Sequence, residues 1–242
     1  MLVSSTNKHD QRPLFKMFSQ VPGRYDVLNR LLTLGLDEGW RRKAAHACLK
    51  KNPQRVLDLC TGTGDLAINI SRQSNSPEEL TGLDFSAPML EIAREKSQKK
   101  ALMPIQYLLG DASDMPFPDR HFGSVGIAFA FRNLTFHNPL KDKSLAEVYR
   151  ILENDGHFVI IESSQPKSKI LRQFWLIYMR YIVKPLGGWI SGHRGAYNYL
   201  AHSVKNYYHP EEIRNMLLST GFKQVEYRRL VGGVAALHIA HK

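Results

Sequence analysis

The chain has 242 residues, 43% hydrophobic and 10% aromatic, which suits one large folded domain or a core with an added subdomain and excludes a disordered chain. Lysine and arginine total 33 against 22 aspartates and glutamates, a net charge of +11. Such an excess favours nucleic acid or anionic lipid, or is a solvated basic surface with no partner.

Cys48 and Cys60 are the only cysteines, so no disulfide framework is expected and a reduced, cytosolic setting is. Residues 1–10 lack the apolar stretch of a secretory signal and are too short and mixed in charge to argue for a transit peptide. The longest apolar run, 170–183, is broken by Arg172, Gln173 and Arg180 and is too short to span a bilayer. A polar tail reaches about residue 11. Helical segments broken at Pro22-Gly23 are predicted from Phe15 to Leu34, and a further helix carries Trp40, Ala44, Ala45, Ala47 and Leu49. Residues 1–50 thus read as a tail and helical cap, or as padding against a sheet.

Residues 51–242 read as one unit with strands at βαβ spacing. They are predicted over 55–59, 80–83, 105–109, 124–129 and 156–162, with helices over 66–72, 88–100 and 141–152. Pro210-Glu211-Glu212 opens another helix, and a hairpin over 222–229 and 235–241 turns at Gly232-Gly233. The expected fold is α/β: a seven-stranded, mostly parallel, Rossmann-like twisted sheet with an antiparallel edge strand and helices on both faces.

The chain is organised around its first strand and the turn after it. Val56, Leu57 and Leu59 suit a strand covered on both faces, and Gly62 and Gly64 allow a sharp turn and a close ligand. Gly62, Gly64 and Ala67 together match a dinucleotide fingerprint. Asp58 and Asp65 argue otherwise, because a diphosphate there would face carboxylates on both sides. S-adenosylmethionine carries a sulfonium and an ammonium and no phosphate, so the same carboxylates attract it. A plain strand–turn–helix connection, with Asp65 on the helix dipole, is the alternative. Asp84 follows Gly64 by twenty residues, the spacing of a ribose-binding acid, or else caps the Pro88 helix. Asp111, in Gly110-Asp111-Ala112, either accepts from an adenine amino group or is a turn aspartate.

These stretches, with Met115-Pro116-Phe117-Pro118, resemble class I S-adenosylmethionine-dependent methyltransferases. More narrowly, the chain is similar to the ubiquinone/menaquinone biosynthesis C-methyltransferase family from about Phe18 to its end. The specific matches are Tyr25-Asp26-Val27-Leu28-Asn29 with Trp40, and Phe131-Arg132-Asn133. Tyr197, Tyr199-Leu200, His209-Pro210 and the run from Gly232 to His238 add to them. There are departures. Cys60 replaces the loop's first glycine, Asp37 a usual histidine, and Glu153-Asn154-Asp155-Gly156 a Lys-Pro-Gly-Gly turn. Ala128 stands where many members carry a cofactor-contacting serine, so that contact is not carried over.

The resemblance implies that Thr63, Asp84, Asp111 and Ala112 contact the cofactor, and the loop's own residues Asp58, Gly62 and Gly64 are read as cofactor-binding beside them. It implies a prenylated quinol as substrate, demethylmenaquinol first and a ubiquinone precursor second. Methyl transfer to a ring carbon is mostly positioning against an activated methyl, with later loss of a ring proton. Arg132 can stabilise a developing phenolate or orient a water for proton transfer, and Asn133 and Tyr25 can bind the quinol oxygens. His137, His193, His202 and His209 are candidate bases, none singled out. Leu171, Phe174, Trp175, Tyr178 and Ile182 fall at helical spacing in an insertion of about 165–208, read as a buried lid helix or an isoprenoid tunnel. Lys167, Lys169, Arg172, Arg180 and Lys184 around it suit transient contact with an anionic membrane surface. A cytoplasmic protein visiting the inner face of the membrane is expected. Homo-oligomerisation stays open, and no metal site and no nucleic acid are expected. The competitors are a nucleic-acid methyltransferase, a non-catalytic cofactor-binding subunit and a nicotinamide dehydrogenase.

Overall fold

The computed structural model describes residues 30, 33–73, 77–178, 181 and 207–242. Helix α1 (Leu36–Cys48) starts at Gly35, in the left-handed region at φ 75°, with Asp37 and Glu38 in its first turn. Strand β1 (Arg55–Leu59) and helix α2 (Asp65–Ser71) follow, then β2 (Glu79–Asp84) and α3 (Ala87–Lys100), which starts beside Pro88. Strands β3 (Gln106–Leu109) and β4 (Phe122–Ala128) lead to a short helix, α4 (Phe131–Thr135), that has too few residues to show a periodic pattern. After α5 (Lys141–Ile151) comes β5 (Leu152–Ser163), then α6 (Lys169–Tyr178), α7 (Pro210–Thr220), β6 (Gln224–Leu230) and β7 (Ala235–His241).

The seven strands form one sheet in the order β3-β2-β1-β4-β5-β7-β6. Strands β1 to β5 pair in parallel, and β7 runs antiparallel between β5 and β6. The expected sheet is present, with the reversed strand one place in from the edge. Strand β5 starts earlier than its apolar run predicts, because Leu152 pairs with Phe122 before an irregularity absorbs Glu153 to Gly156.

Alternate residues of the central strands feed two cores. Val56, Val159 and Ile161 join Trp40, Ala44, Ala45, Leu66 and Ile70 from α1 and α2 on one face. Leu57, Val125, Phe158 and Ile160 join Leu145, Val148, Ile213 and Leu217 from α5 and α7 on the other. Each fully buried aliphatic or aromatic side chain contributes about 1.5–3 kcal/mol, so both faces fix the register of the strands that carry the loops above them.

Helix α6 departs from expectation. Ile170, Phe174 and Ile177 on it, and Tyr181 beyond it, are exposed, Phe174 at 66%. Phe174 and Leu171 therefore both leave the predicted inward series, although Leu171 lies against the Gly232 turn, and Ile182 of that series lies outside the described residues. Among the described residues, no helix is long and apolar enough to cross a membrane.

Candidate active site

The reversal of strand order falls between β1 and β4, where a crevice opens at the carboxyl ends of the strands. Gly62 and Gly64 both hold positive φ, 56° and 82°. A Cβ on Gly64 would lie 2.6 Å from the Tyr107 hydroxyl, so the loop packs down onto β3. Cys60 also sits in the left-handed region, at φ 54°, without glycine's freedom.

Buried carboxylates brace this loop. Asp58 accepts from the Thr61 hydroxyl at 2.6 Å and from the Ala67 amide at 2.9 Å. Burial pushes it up to about 7, with the Asp84 charge adding to the rise and these bonds opposing it. Asp84 accepts from the Gly62 amide at 2.8 Å and the Ser86 amide at 2.9 Å, and burial pushes it up to about 6. Ser86, not Asp84, occupies the N-cap of α3. Asp111 accepts from the Ser113 amide at 2.7 Å, an aspartate turn, and Ala112 beside it is buried in the core. Burial and the charges of Asp84, Asp58 and Asp111 push the Cys60 thiol up, so it is held as thiol rather than thiolate.

An open cleft of about 370 Å3 of empty space lies over the loop, lined by Arg41, Asp58, Cys60, Thr61, Gly62, Thr63, Asp65, Leu66, Ala128 and Ala130. Lys96 reaches the Thr63 hydroxyl at 3.0 Å and pairs with Asp65. The sequence reading did not single out Arg41 or Lys96. The signal for Arg41 was Asp37 four residues earlier, the spacing of a helical ion pair, and the two are paired here.

Arg132 stands past the end of β4, 5% exposed. Its amide donates to Glu162 Oε2 at 3.0 Å, and its Nη1 lies 3.5 Å from Glu162 Oε1. Its Nε has no hydrogen-bond partner among the described residues. Glu162 is 1% exposed at the end of β5; an acid closing an apolar strand was the sequence signal, as at Asp58 and Asp84, and it went unused. Tyr207, pushed up by burial and by the Glu162 charge, completes this corner with its hydroxyl 3.2 Å from that of Thr135. Asn133 is half-buried, and its carbonyl accepts from the Asn138 side chain at 2.9 Å. Tyr25, Tyr197, Tyr199, His193 and His202 lie outside the described residues, as do Arg180 and Lys184. His137 is exposed, and His209 caps α7 with Glu212. Among the described residues no cluster of side chains could hold a metal.

The acids suit a cationic ligand. Asp58 and Asp84 hold their protons toward neutrality chiefly because they are buried, and the negative charge of a diphosphate would aggravate that. The sheet order, the glycine loop and the acids at the ends of β1 and β2 are those of a Rossmann-like methyltransferase. A SAM-dependent methyltransferase of Thermotoga maritima shares the fold at TM-score 0.60 and 16% identity, over 94% of this chain and 99% of that one. Residues 5–242 match the ubiE/COQ5 methyltransferase family, and the chain belongs to it. It is 42% identical to the demethylmenaquinone methyltransferase of Thermus thermophilus, over 93% of this chain and 100% of that protein. It is 34% identical to the ubiquinone/menaquinone biosynthesis C-methyltransferase of Pectobacterium atrosepticum, over 94% and 89%.

Proposed function

We propose that this chain methylates a ring carbon of a prenylated quinol with S-adenosylmethionine, converting demethylmenaquinol to menaquinol. A ubiquinone precursor is the second reading, favoured by the likeness to relatives named for both pathways. The observation that carries the reading is the pair of buried carboxylates that brace the glycine loop, Asp58 through Thr61 and Ala67 and Asp84 through Gly62; past β4 stands buried Arg132, whose Nε has no acceptor among the described residues.

The cofactor supplies an activated methyl group when bound. Asp84 takes the ribose hydroxyls with the acceptor capacity that Gly62 and Ser86 leave it, and Asp111 and Ala112 face the adenine. Thr63, Gly62, Gly64 and Asp58 form the floor beneath the charged end. Arg132, held by Glu162, presents Nε to a quinol oxygen and stabilises negative charge developing there. Asn133 and Tyr25 orient the ring. The methyltransferase unit is 51–242; of the cap expected over 1–50 and the lid expected over 165–208, residues 1–29, 31–32, 179–180 and 182–206 lie outside the described residues.

The isoprenoid tail keeps such a substrate in a bilayer. The exposed stripe of Ile170, Phe174, Ile177 and Tyr181, with Lys167, Lys169 and Arg172 beside it, supports transient docking of a cytoplasmic enzyme on an anionic membrane face. The basic excess then meets lipid rather than nucleic acid. The test supplies labelled S-adenosylmethionine with reduced demethylmenaquinols, ubiquinone precursors and RNA. Label is expected in the demethylmenaquinol first, and label in RNA alone would refute the reading.

A further inference from the structure

The cofactor's methionine end carries a carboxylate as well as its two cations. An anion entering a cleft walled by acids is strongly disfavoured unless a cation receives it. Asp37, Asp58, Asp65 and Asp84 lie in or beside this cleft. Among the described residues that line it, Arg41 is the one cation.

Arg41 is built into the site. It is 6% exposed, on α1, and its guanidinium pairs with Asp37, itself 2% exposed. Its guanidinium carbon lies 5.1 Å from the centroid of the Phe129 ring, which sits in the left-handed region at φ 58° just past β4. Its contact with Asp65 is loose, at 3.9 Å, while Asp65 is also paired with Lys96. A carboxylate arriving at Arg41 displaces that loose contact and leaves Asp65 with Lys96.

The direction of the cleft agrees. Asp111, Asp84 and the glycine loop follow the strand order β3, β2, β1, and the next strand, β4, brings Ala128 and Ala130. A cofactor with its ribose at Asp84 extends its amino-acid end across Gly62 toward β4, where Arg41 stands.

We infer that Arg41 is the anchor for the carboxylate of the cofactor's methionine moiety. This rests on the proposed S-adenosylmethionine reading and adds a binding residue to it. The anchor makes the cleft discriminate between an amino acid and a simple amine, since Arg41 is the one cation among the described residues that line it. It also ties α1 to ligand occupancy.

The experiment compares calorimetric affinities for S-adenosylmethionine and for decarboxylated S-adenosylmethionine, which lacks only that carboxylate. Wild type is expected to prefer the intact cofactor by roughly 10- to 100-fold. Arg41→Gln should lose that preference, binding the intact cofactor that much more weakly and the decarboxylated one within about threefold of wild type. Arg41→Lys, a point charge without the planar fork, should fall between. Should Arg41→Gln fail to fold because Asp37 is left buried and unpaired, Asp37→Asn/Arg41→Gln removes both charges and is read in the same way. Equal losses for the two ligands would overturn the inference, making Arg41 structural. Wild type binding both ligands equally would overturn it alone. Wild type binding neither would overturn the cofactor reading and this inference with it.

Discussion

Cofactor affinity should fall steeply as the medium is acidified, because the cleft acids must ionise to receive a cation. Without ligand, Asp58 rises to about 7 and Asp84 to about 6, both chiefly through burial. A ligand that binds only their ionised forms must expel any proton they hold. At pH 5.5 that requirement weakens binding about 30-fold through Asp58 and about 4-fold through Asp84, while at pH 8 both effects nearly vanish. Affinity should therefore drop roughly 100-fold between pH 8 and pH 5.5. The cofactor's own amino group, titrating near pH 8, gains its proton on the same descent and offsets only about twofold of this. The neighbours facing Asp58 are Thr61, the Ala67 amide, Asp84 and Arg41, none of which changes charge in that range apart from Asp84 itself. Calorimetry at pH 6.5 in phosphate and in Tris should show about one proton released on binding, seen as a difference in apparent enthalpy. Asp58→Asn should flatten most of the profile. Affinity constant across the range, with the same enthalpy in both buffers, would refute the reasoning.

Four further outcomes are expected. Asp84→Ala should weaken cofactor binding by roughly 1–3 kcal/mol, by losing ribose acceptors and by releasing the Gly62 amide; unchanged affinity in a folded variant would remove the ribose assignment. Arg132→Ala should keep cofactor affinity and lose most of the methyl-transfer rate, and equal single-turnover rates would make Arg132 structural. Cys60→Gly should relieve a left-handed residue and stabilise the protein by about 1 kcal/mol, a rise of about 2–4 °C in Tm by calorimetry. Phe174→Glu should weaken sedimentation with anionic liposomes, and added salt should weaken it in wild type too; indifference of wild type to such liposomes at low salt would rule out docking through α6.

Much of the fold was legible because each central strand announces itself by an apolar run between turn residues. Buried on both faces, Val56 to Leu59 and Phe158 to Ile161 are apolar at every position but Asp58, so little blurs their limits. The glycine loop and Asp84 were legible too, since spacing along one βαβ unit is enough to bring them together. Arg41 and Glu162 were not. Arg41 serves the loop from a helix before β1, and Glu162 meets Arg132 across thirty residues, so each partnership exists only once β4 has settled between β1 and β5. Periodicity also failed on α6: apolar residues occupy both of its faces, and a 3.6-residue period cannot say which face turns outward.

The same acids that mark the site weaken the ligand-free chain. A carboxyl whose folded pKa lies above its unfolded value of about 3.8 keeps a proton in the native state that the unfolded chain has released. Stability contributed by that proton is present at low pH and is lost as pH rises through about 6 for Asp84 and about 7 for Asp58. At pH 8 the empty protein thus holds two buried charges near the glycine loop, and Arg41 is the cation that acts on Asp58. A sulfonium and an ammonium in the cleft supply the missing positive charge, and the cofactor's carboxylate is kept from cancelling it by its place on Arg41. Cofactor binding and folding stability are therefore coupled through the same carboxylates. The thermal stabilisation by S-adenosylmethionine should accordingly be larger at pH 8 than at pH 6, at equal cofactor concentration.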